Sequence, residues 1–127
     1  MQIQEGYIVT ARKLLGLAKQ RRLTYQYYSG TEKITQTKEH NKVALELDLF
    51  LNTLTLEEIQ FLQALMYLGR DTTDKERSEY PAIKLLESQY KTLIRAGLNN
   101  KELGADQLSG KMPLDEYLEK GLEIISR

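Results

Sequence analysis

The sequence predicts an all-α fold: a single-domain bundle of five to six helices over residues 1–127, with a long loop or a short hairpin at about residues 20–39. Three observations lead to this prediction. Apolar residues recur every three to four positions in several stretches. A capping box, Thr55 followed by Glu58, precedes the clearest of these stretches. Proline and glycine stand where the predicted helices begin and end.

The first helix is predicted over about residues 4–19, where one apolar stripe has the period of an α-helix. The stripe consists of Tyr7, Ile8, Ala11, Leu14, Leu15 and Ala18. No such stripe continues into residues 20–39, which are rich in Thr, Gln, Tyr and Lys. Two outcomes stay open for that segment: a hairpin that turns at Ser29-Gly30, or a loop between two helices.

The second helix is predicted over about residues 40–54, although its middle also alternates apolar and acidic residues as a strand does. The helix is favoured because six apolar residues share one face, and because Leu, Glu and Ala are good helix formers. These six are Val43, Ala44, Leu47, Phe50, Leu51 and Leu54. Leu45 and Leu49 lie off that face and need another cover.

The third helix is the clearest and is predicted from the Thr55 cap to Leu68, with Gly69 as its left-handed stop. Its second half, residues 61–68, is apolar nearly all the way round. A helix of that kind belongs in the middle of a bundle or beneath a partner. Phe61 and Leu65 are therefore candidates for an interface, unless neighbouring helices cover them.

Three further helices complete the predicted bundle. One covers residues 81–97, and whether helical turns already precede it stays open. A short helix covers residues 99–110, with Asn99 as its cap. The last helix begins at Pro113, and Gly121 within its apolar stripe would let a neighbouring backbone approach closely.

Two blocks of sequence resemble a bacterial family of small helical proteins whose function is unknown. The first block joins Leu-Thr-Leu-Glu-Glu at residues 54–58 to Ala-Leu-Met-Tyr-Leu-Gly-Arg-Asp at residues 64–71. The second is Pro-Leu-Asp-Glu-Tyr-Leu-Glu-Lys-Gly-Leu at residues 113–122. Tyr67 stands where the family has Trp. The resemblance covers about residues 43–125 and implies a small helical fold without implying an activity.

The composition lacks the usual parts of an enzyme. The chain has no cysteine and one histidine, His40, so thiol chemistry is excluded and a zinc site would lack its common ligands. It has no phosphate-binding loop and no serine in a nucleophile elbow. We expect no enzyme, no cofactor and no metal, and carboxylates or tyrosines are the one open route to catalysis. The lack of cysteine, of a membrane-length apolar run and of a signal sequence predicts a cytoplasmic protein.

Charge is spread unevenly along a chain whose net charge is zero. Residues 1–38 carry seven basic and two acidic groups, a net of +5, and the eleven basic and sixteen acidic groups that follow give −5. Basic and aromatic residues are interleaved near the N-terminus at Arg12, Lys13, Lys19, Arg21, Arg22, Tyr25 and Tyr27. Such a set suits nucleic acid, because cations hold phosphates and aromatic rings stack on bases. A contact with a protein partner or second copy, and a merely solvated face, are the alternatives.

Three functional hypotheses follow from these patterns. The first is a non-enzymatic, self-associating interaction module, with Leu45, Leu49, Phe61 and Leu65 as the apolar interface. The second is a nucleic-acid accessory protein that uses the basic N-terminal segment. The third is an anion or small-molecule binder at Arg70, since a guanidinium matches carboxylate and phosphate. For Arg70 the structural alternative is an ion pair with a carboxylate of the last helix, Glu116 or Glu119.

Overall fold

The computed structural model describes residues 2–27 and 38–126, and every regular element in this part of the chain is an α-helix. The prediction of an all-α bundle is confirmed. The described residues form seven helices rather than five or six, because residues 74–79 make a short helix of their own. The helices are α1 (Glu5–Tyr27), α2 (Lys38–Asn52), α3 (Leu56–Asp71), α4 (Asp74–Glu79), α5 (Ala82–Arg95), α6 (Lys101–Ser109) and α7 (Leu114–Ile125).

Helix α3 forms the centre of the bundle and packs against α1, α5, α6 and α7. It begins at the predicted capping box, in which the Glu58 amide donates to the Thr55 hydroxyl at 3.2 Å and the Thr55 amide donates to the Glu58 carboxylate at 3.1 Å. Neighbours on all sides explain why its second half is apolar all round. Its residues buried in the common core are Ile59, Phe61, Leu62, Ala64, Leu65, Met66 and Leu68.

Helices α3 and α7 cross at two glycines. A Cβ atom on Gly69 would strike the carbonyl oxygen of Tyr117 and would lie 2.8 Å from the Gly121 nitrogen. A Cβ atom on Gly121 would strike the carbonyl oxygen of Leu65. The close approach predicted at Gly121 is therefore confirmed. The left-handed stop predicted at Gly69 is wrong, because this glycine lies inside α3, which continues to Asp71.

Helix α1 is longer than predicted. Residues 20–27, assigned from the sequence to a loop or to one strand of a hairpin, are helical. The sequence prediction failed there because the stabilising contacts are distant in sequence: Arg21 binds the end of α6 and the residues just after it, and Arg22 binds the start of α7. The turn and second strand of the suggested hairpin, residues 28–37, lie outside the described residues.

The ends of the remaining helices show which local sequence signals are sufficient to predict where a helix begins or ends. Helix α4 begins with a second capping box, in which Glu76 donates its amide to the Thr73 hydroxyl at 3.1 Å. Its sequence signal, Thr73 followed by Glu76, is the same as that of the first capping box. Helix α6 is capped by Asn100, whose side chain accepts from the amide of Leu103 at 3.0 Å, and not by Asn99. Helix α5 ends at Arg95, two residues before the predicted end at Gly97, and Gly97 has the left-handed conformation that follows the helix, with φ of 74°.

Candidate protein interaction surfaces

Helix α2 carries leucines on two opposite sides. Leu47 and Leu51 are buried in the common core, whereas 58% of Leu45 and 54% of Leu49 are exposed. Residues four apart lie one helical turn apart on the same side, so Leu45 and Leu49 form one apolar strip that points away from the bundle. Their position off the main stripe indicated this exposure. We call the exposed side chains of Lys42, Leu45, Leu49 and Asn52 the α2 outer face.

Polar groups border the α2 outer face on the side of α6. Asp48 accepts a hydrogen bond of 2.7 Å from the Ser109 hydroxyl. A cavity of about 330 Å³ opens between the two helices and is lined in part by Asp48, Asn52 and Asp106. The apolar strip is therefore narrow, with acidic and amide groups along one edge.

Phe61 and Leu65 do not belong to any surface, which corrects their assignment to an interface. Both are buried. The Phe61 ring packs against the Tyr7 ring with 5.2 Å between centroids, and Leu65 lies where the backbone of Gly121 approaches α3. The apolar surplus of α3 is covered inside the monomer by its four neighbouring helices.

Arg21 is an internal structural residue. It is buried, and its guanidinium donates to the carbonyl oxygens of Ser109 at 2.6 Å and Lys111 at 2.7 Å. These carbonyls lie at the C-terminal end of α6, where a cation is favourable. Burial lowers the pKa of Arg21, and the carboxylates of Asp48 and Asp115 oppose that shift.

Arg22 binds Asp115 at the start of α7. Its Nε donates to both carboxylate oxygens of Asp115, at 3.0 and 2.9 Å, and its Nη2 lies 2.9 Å from Oδ2. Asp115 is buried in the first turn of α7, where a negative charge also suits the helix dipole. Two consecutive arginines of α1 thus hold the end of α6 and the beginning of α7. Neither of them belongs to an open basic patch.

The other members of the predicted basic and aromatic set do not restore such a patch. Arg12, Lys13 and Lys19 are exposed, and the Lys13 ammonium lies 4.8 Å from the centroid of the Phe50 ring. Tyr25 is partly exposed, and its ring lies 6.2 Å from that of His40. The side chain of Tyr27 lies outside the described residues. The nucleic-acid hypothesis relied on five basic residues. Only three of these five are exposed in the structure.

Arg70 binds its own neighbour and not the last helix. Its Nε donates to Asp71 at 2.7 Å and its Nη2 at 3.1 Å, and the guanidinium carbon lies 4.6 Å from the centroid of the Tyr67 ring. The hydrogen bond to Asp71 raises the pKa of Arg70. The predicted ion pair with Glu116 or Glu119 is wrong, because the glycine crossing, and not a salt bridge, joins α3 to α7.

The surroundings of Arg70 offer little to an anion. A cavity of about 250 Å³ lies between α3 and α5 and includes Tyr67, Arg70 and Asp71 in its lining. The Nε–Nη2 edge of the guanidinium is already occupied by the Asp71 carboxylate. An incoming anion at the remaining donors would meet the negative charge of Asp71 close by.

A groove between α1 and α7 was missed by the sequence analysis. Two adjoining cavities of about 530 and 320 Å³ share Arg12, Leu122 and Ser126. Charged side chains at the edge of the groove are Glu5, Arg12, Glu119 and Glu123. The apolar lining consists of Ile3, Ile8, Leu15, Leu122 and Ile125. The spacing of Ile8, Arg12 and Leu15 along one side of the first helix was the available signal. We call this site the α1–α7 groove.

Within residues 2–27 and 38–126, no helix has the length and apolar character needed to cross a membrane. The same residues contain no group of three or more His, Asp or Glu side chains placed to hold a metal ion. No family model, no curated protein and no solved structure matches this chain.

Proposed function

We propose that this chain is a non-enzymatic helical protein-interaction module that associates with a second copy of itself through the α2 outer face. The observation that supports the proposal is the pair Leu45 and Leu49, each more than half exposed on the side of α2 that faces away from the core. Exposed apolar side chains mark contact surfaces where they adjoin one another, and these two leucines lie one helical turn apart. Phe61 and Leu65 take no part in it.

A twofold arrangement makes the α2 outer face complementary to itself. If two α2 helices pack antiparallel, Leu45 of each copy meets Leu49 of the other. The same register places Glu46 of one copy level with Asp48 of the other. The attraction between the copies therefore comes from the leucines and not from charge.

The size of the strip sets the strength of the association. Full burial of a leucine side chain contributes about 1.5–3 kcal/mol, so covering the exposed half of four leucines contributes roughly 3–6 kcal/mol. The loss of translational and rotational freedom costs at least about 4 kcal/mol. The four leucines alone therefore leave at most about 2 kcal/mol, so a dissociation constant in the high micromolar range requires about 3 kcal/mol more from other contacts along the α2 outer face. We expect a weak dimer and not an obligate one.

Sedimentation equilibrium over about 5–500 µM protein tests the proposal, since this range spans the dissociation constant expected for a weak dimer. The wild type should shift from monomer towards dimer as its concentration rises. The double variant Leu45→Gln, Leu49→Gln should remain a monomer, because polar side chains remove the hydrophobic gain. The matched control is Leu103→Gln on α6, where the leucine is 46% exposed, and it should dimerise as the wild type does.

Two results would contradict self-association through α2. One is a wild type that stays monomeric over the whole concentration range. The other is a control variant at Leu103 that loses the dimer as completely as the double variant does, which would locate the contact elsewhere or indicate a general effect of polarity.

The proposal includes a bacterial, cytoplasmic setting without a cofactor. A chain without cysteine suits a reducing compartment, and the resemblance to the bacterial family concerns the same residues that form α3 and α7. The nucleic-acid and anion hypotheses have less support. Arg21 and Arg22 are engaged within the fold, and Arg70 is engaged by Asp71.

A further inference from the structure

We propose that the α1–α7 groove is a second interaction surface, which docks a basic amphipathic helix of a partner protein. This surface lies on α1 and α7, whereas the proposed self-association uses α2. The inference rests on the shape of the groove, on its apolar floor and on the sign of the charges along its edge.

The floor of the groove is aliphatic and incompletely covered. Ile3, Ile8 and Leu15 are only partly buried although they pack against the core, and Ile125 on α7 is in the same state. An aliphatic strip of this kind gains free energy when another apolar face covers it. An amphipathic helix is the common partner of such a groove and inserts side chains spaced at i, i+3, i+4 and i+7.

The edge of the groove selects the charge of the partner. Three carboxylates, Glu5, Glu119 and Glu123, stand against one cation, Arg12. Glu123 is already paired with Arg77 at 3.2 Å. Among the described residues, neither Glu5 nor Glu119 lies within 4.0 Å of a basic side chain in an ion pair. Two carboxylates on opposite sides of an apolar floor are therefore available to lysine or arginine residues of a partner.

The length of the groove matches a short helix. From Glu5 to Leu15 the first helix rises about 15 Å, at about 1.5 Å per residue. A partner helix of roughly three turns would cover that distance and place three or four apolar side chains on the floor. Arg12 lies in the same groove. Because a cation is attracted to the C-terminal end of a helix, Arg12 would favour the orientation that brings this end of the partner helix close to it.

Fluorescence anisotropy with a labelled synthetic peptide tests the inference. The probe is a helix of about 14 residues made only of leucine and lysine, with leucines at i, i+3, i+4 and i+7. The matched peptide replaces every lysine by glutamate. We expect the basic peptide to bind and the acidic peptide to bind at least about tenfold more weakly, because the latter meets like charges. Added salt should weaken the basic complex.

Charge reversal in the protein then locates the site. The double variant Glu5→Lys, Glu119→Lys should weaken binding of the basic peptide roughly tenfold, through two lost attractions and two new repulsions. The control Glu46→Lys reverses an exposed charge on α2 and should change binding by less than about twofold. Unchanged thermal melting of all three proteins verifies that the fold is intact.

Three results would overturn the inference. The first is equal binding of the basic and acidic peptides. The second is the same loss of affinity in Glu46→Lys as in the groove variant, which would indicate a diffuse charge effect. The third is loss of self-association in the groove variant, which would show that a second copy, and not a basic partner helix, occupies the groove. Self-association and peptide binding are measured separately, so each proposal can fail alone.

Discussion

Replacing Gly69 by alanine tests whether the crossing of α3 and α7 holds the bundle together. The added Cβ atom would strike the carbonyl oxygen of Tyr117, and it would lie 2.8 Å from the Gly121 nitrogen and 2.9 Å from the Tyr117 carbonyl carbon. All three obstacles are backbone atoms of α7, so no side chain can rotate away. The two helices would have to separate along their contact.

The size of the effect follows from two opposing contributions. Overpacking in a core costs about 1–3 kcal/mol, and an obstacle made of backbone belongs at the upper end of that range or beyond it. Alanine in place of glycine inside a helix returns about 1 kcal/mol. Gly69→Ala should therefore lower the free energy of unfolding by about 2 kcal/mol or more, which for a chain of this length corresponds to a melting temperature lower by roughly 6–10 °C.

Gly16 supplies the matched control. It lies in the middle of α1, and a Cβ atom there would meet nothing within 4 Å. Gly16→Ala should raise the free energy of unfolding by about 0.5–1 kcal/mol, because it gains helix propensity without a clash. Urea titration followed by circular dichroism measures both variants. A Gly69→Ala protein as stable as the wild type would refute the argument, and so would a Gly16→Ala protein destabilised to the same extent.

Three further predictions concern charged and ionisable groups. Arg22→Gln should lower the free energy of unfolding by about 1–3 kcal/mol, and by more than Asp115→Asn does, because it leaves a carboxylate of 4% exposure without its partner; urea titration of both variants checks the order. Burial raises the pKa of Tyr90, so its contribution to stability is complete below about pH 10 and is lost at higher pH; Tyr90→Phe should lose less stability than the wild type between pH 9 and 11. Arg70→Gln should leave the melting temperature within error of the wild type, because its ion pair with Asp71 is exposed at the surface; a clear loss would mean that Arg70 ties helices together.

The fold was predictable wherever the signal was local. The capping box at Thr55 fixed the start of α3, and helical spacing of apolar residues identified most of α1, α5 and α7. The last two turns of α1 were not predictable, because their residues have no apolar stripe and their stability comes from Arg21 and Arg22 binding residues about ninety positions away. Gly69 was misjudged for the same reason: a glycine near a helix end and a glycine at a helix crossing look alike in sequence.

The candidate surfaces, too, were predictable only where the sequence signal was local. Leu45 and Leu49 could be singled out because periodicity within one helix is enough to show which leucines leave the main stripe. Phe61 could not be separated from them, since an apolar residue on an all-apolar helix is buried or exposed according to how many neighbours surround it. The α1–α7 groove could not be predicted from the sequence, because its floor combines residues from the two ends of the chain.

The two proposed surfaces do not compete for the same residues. Helix α2 packs against α1 and α6, whereas the groove is formed by α1 and α7, and no residue belongs to both surfaces. Self-association through Leu45 and Leu49 would therefore leave the groove open on each copy. A weak dimer with two grooves favours a partner that presents two basic helices, because the second contact becomes intramolecular and raises the overall affinity without any new contact. The weakness of the dimer then becomes functional: binding of such a partner would stabilise the dimer, and the dimer would in turn hold the partner more tightly.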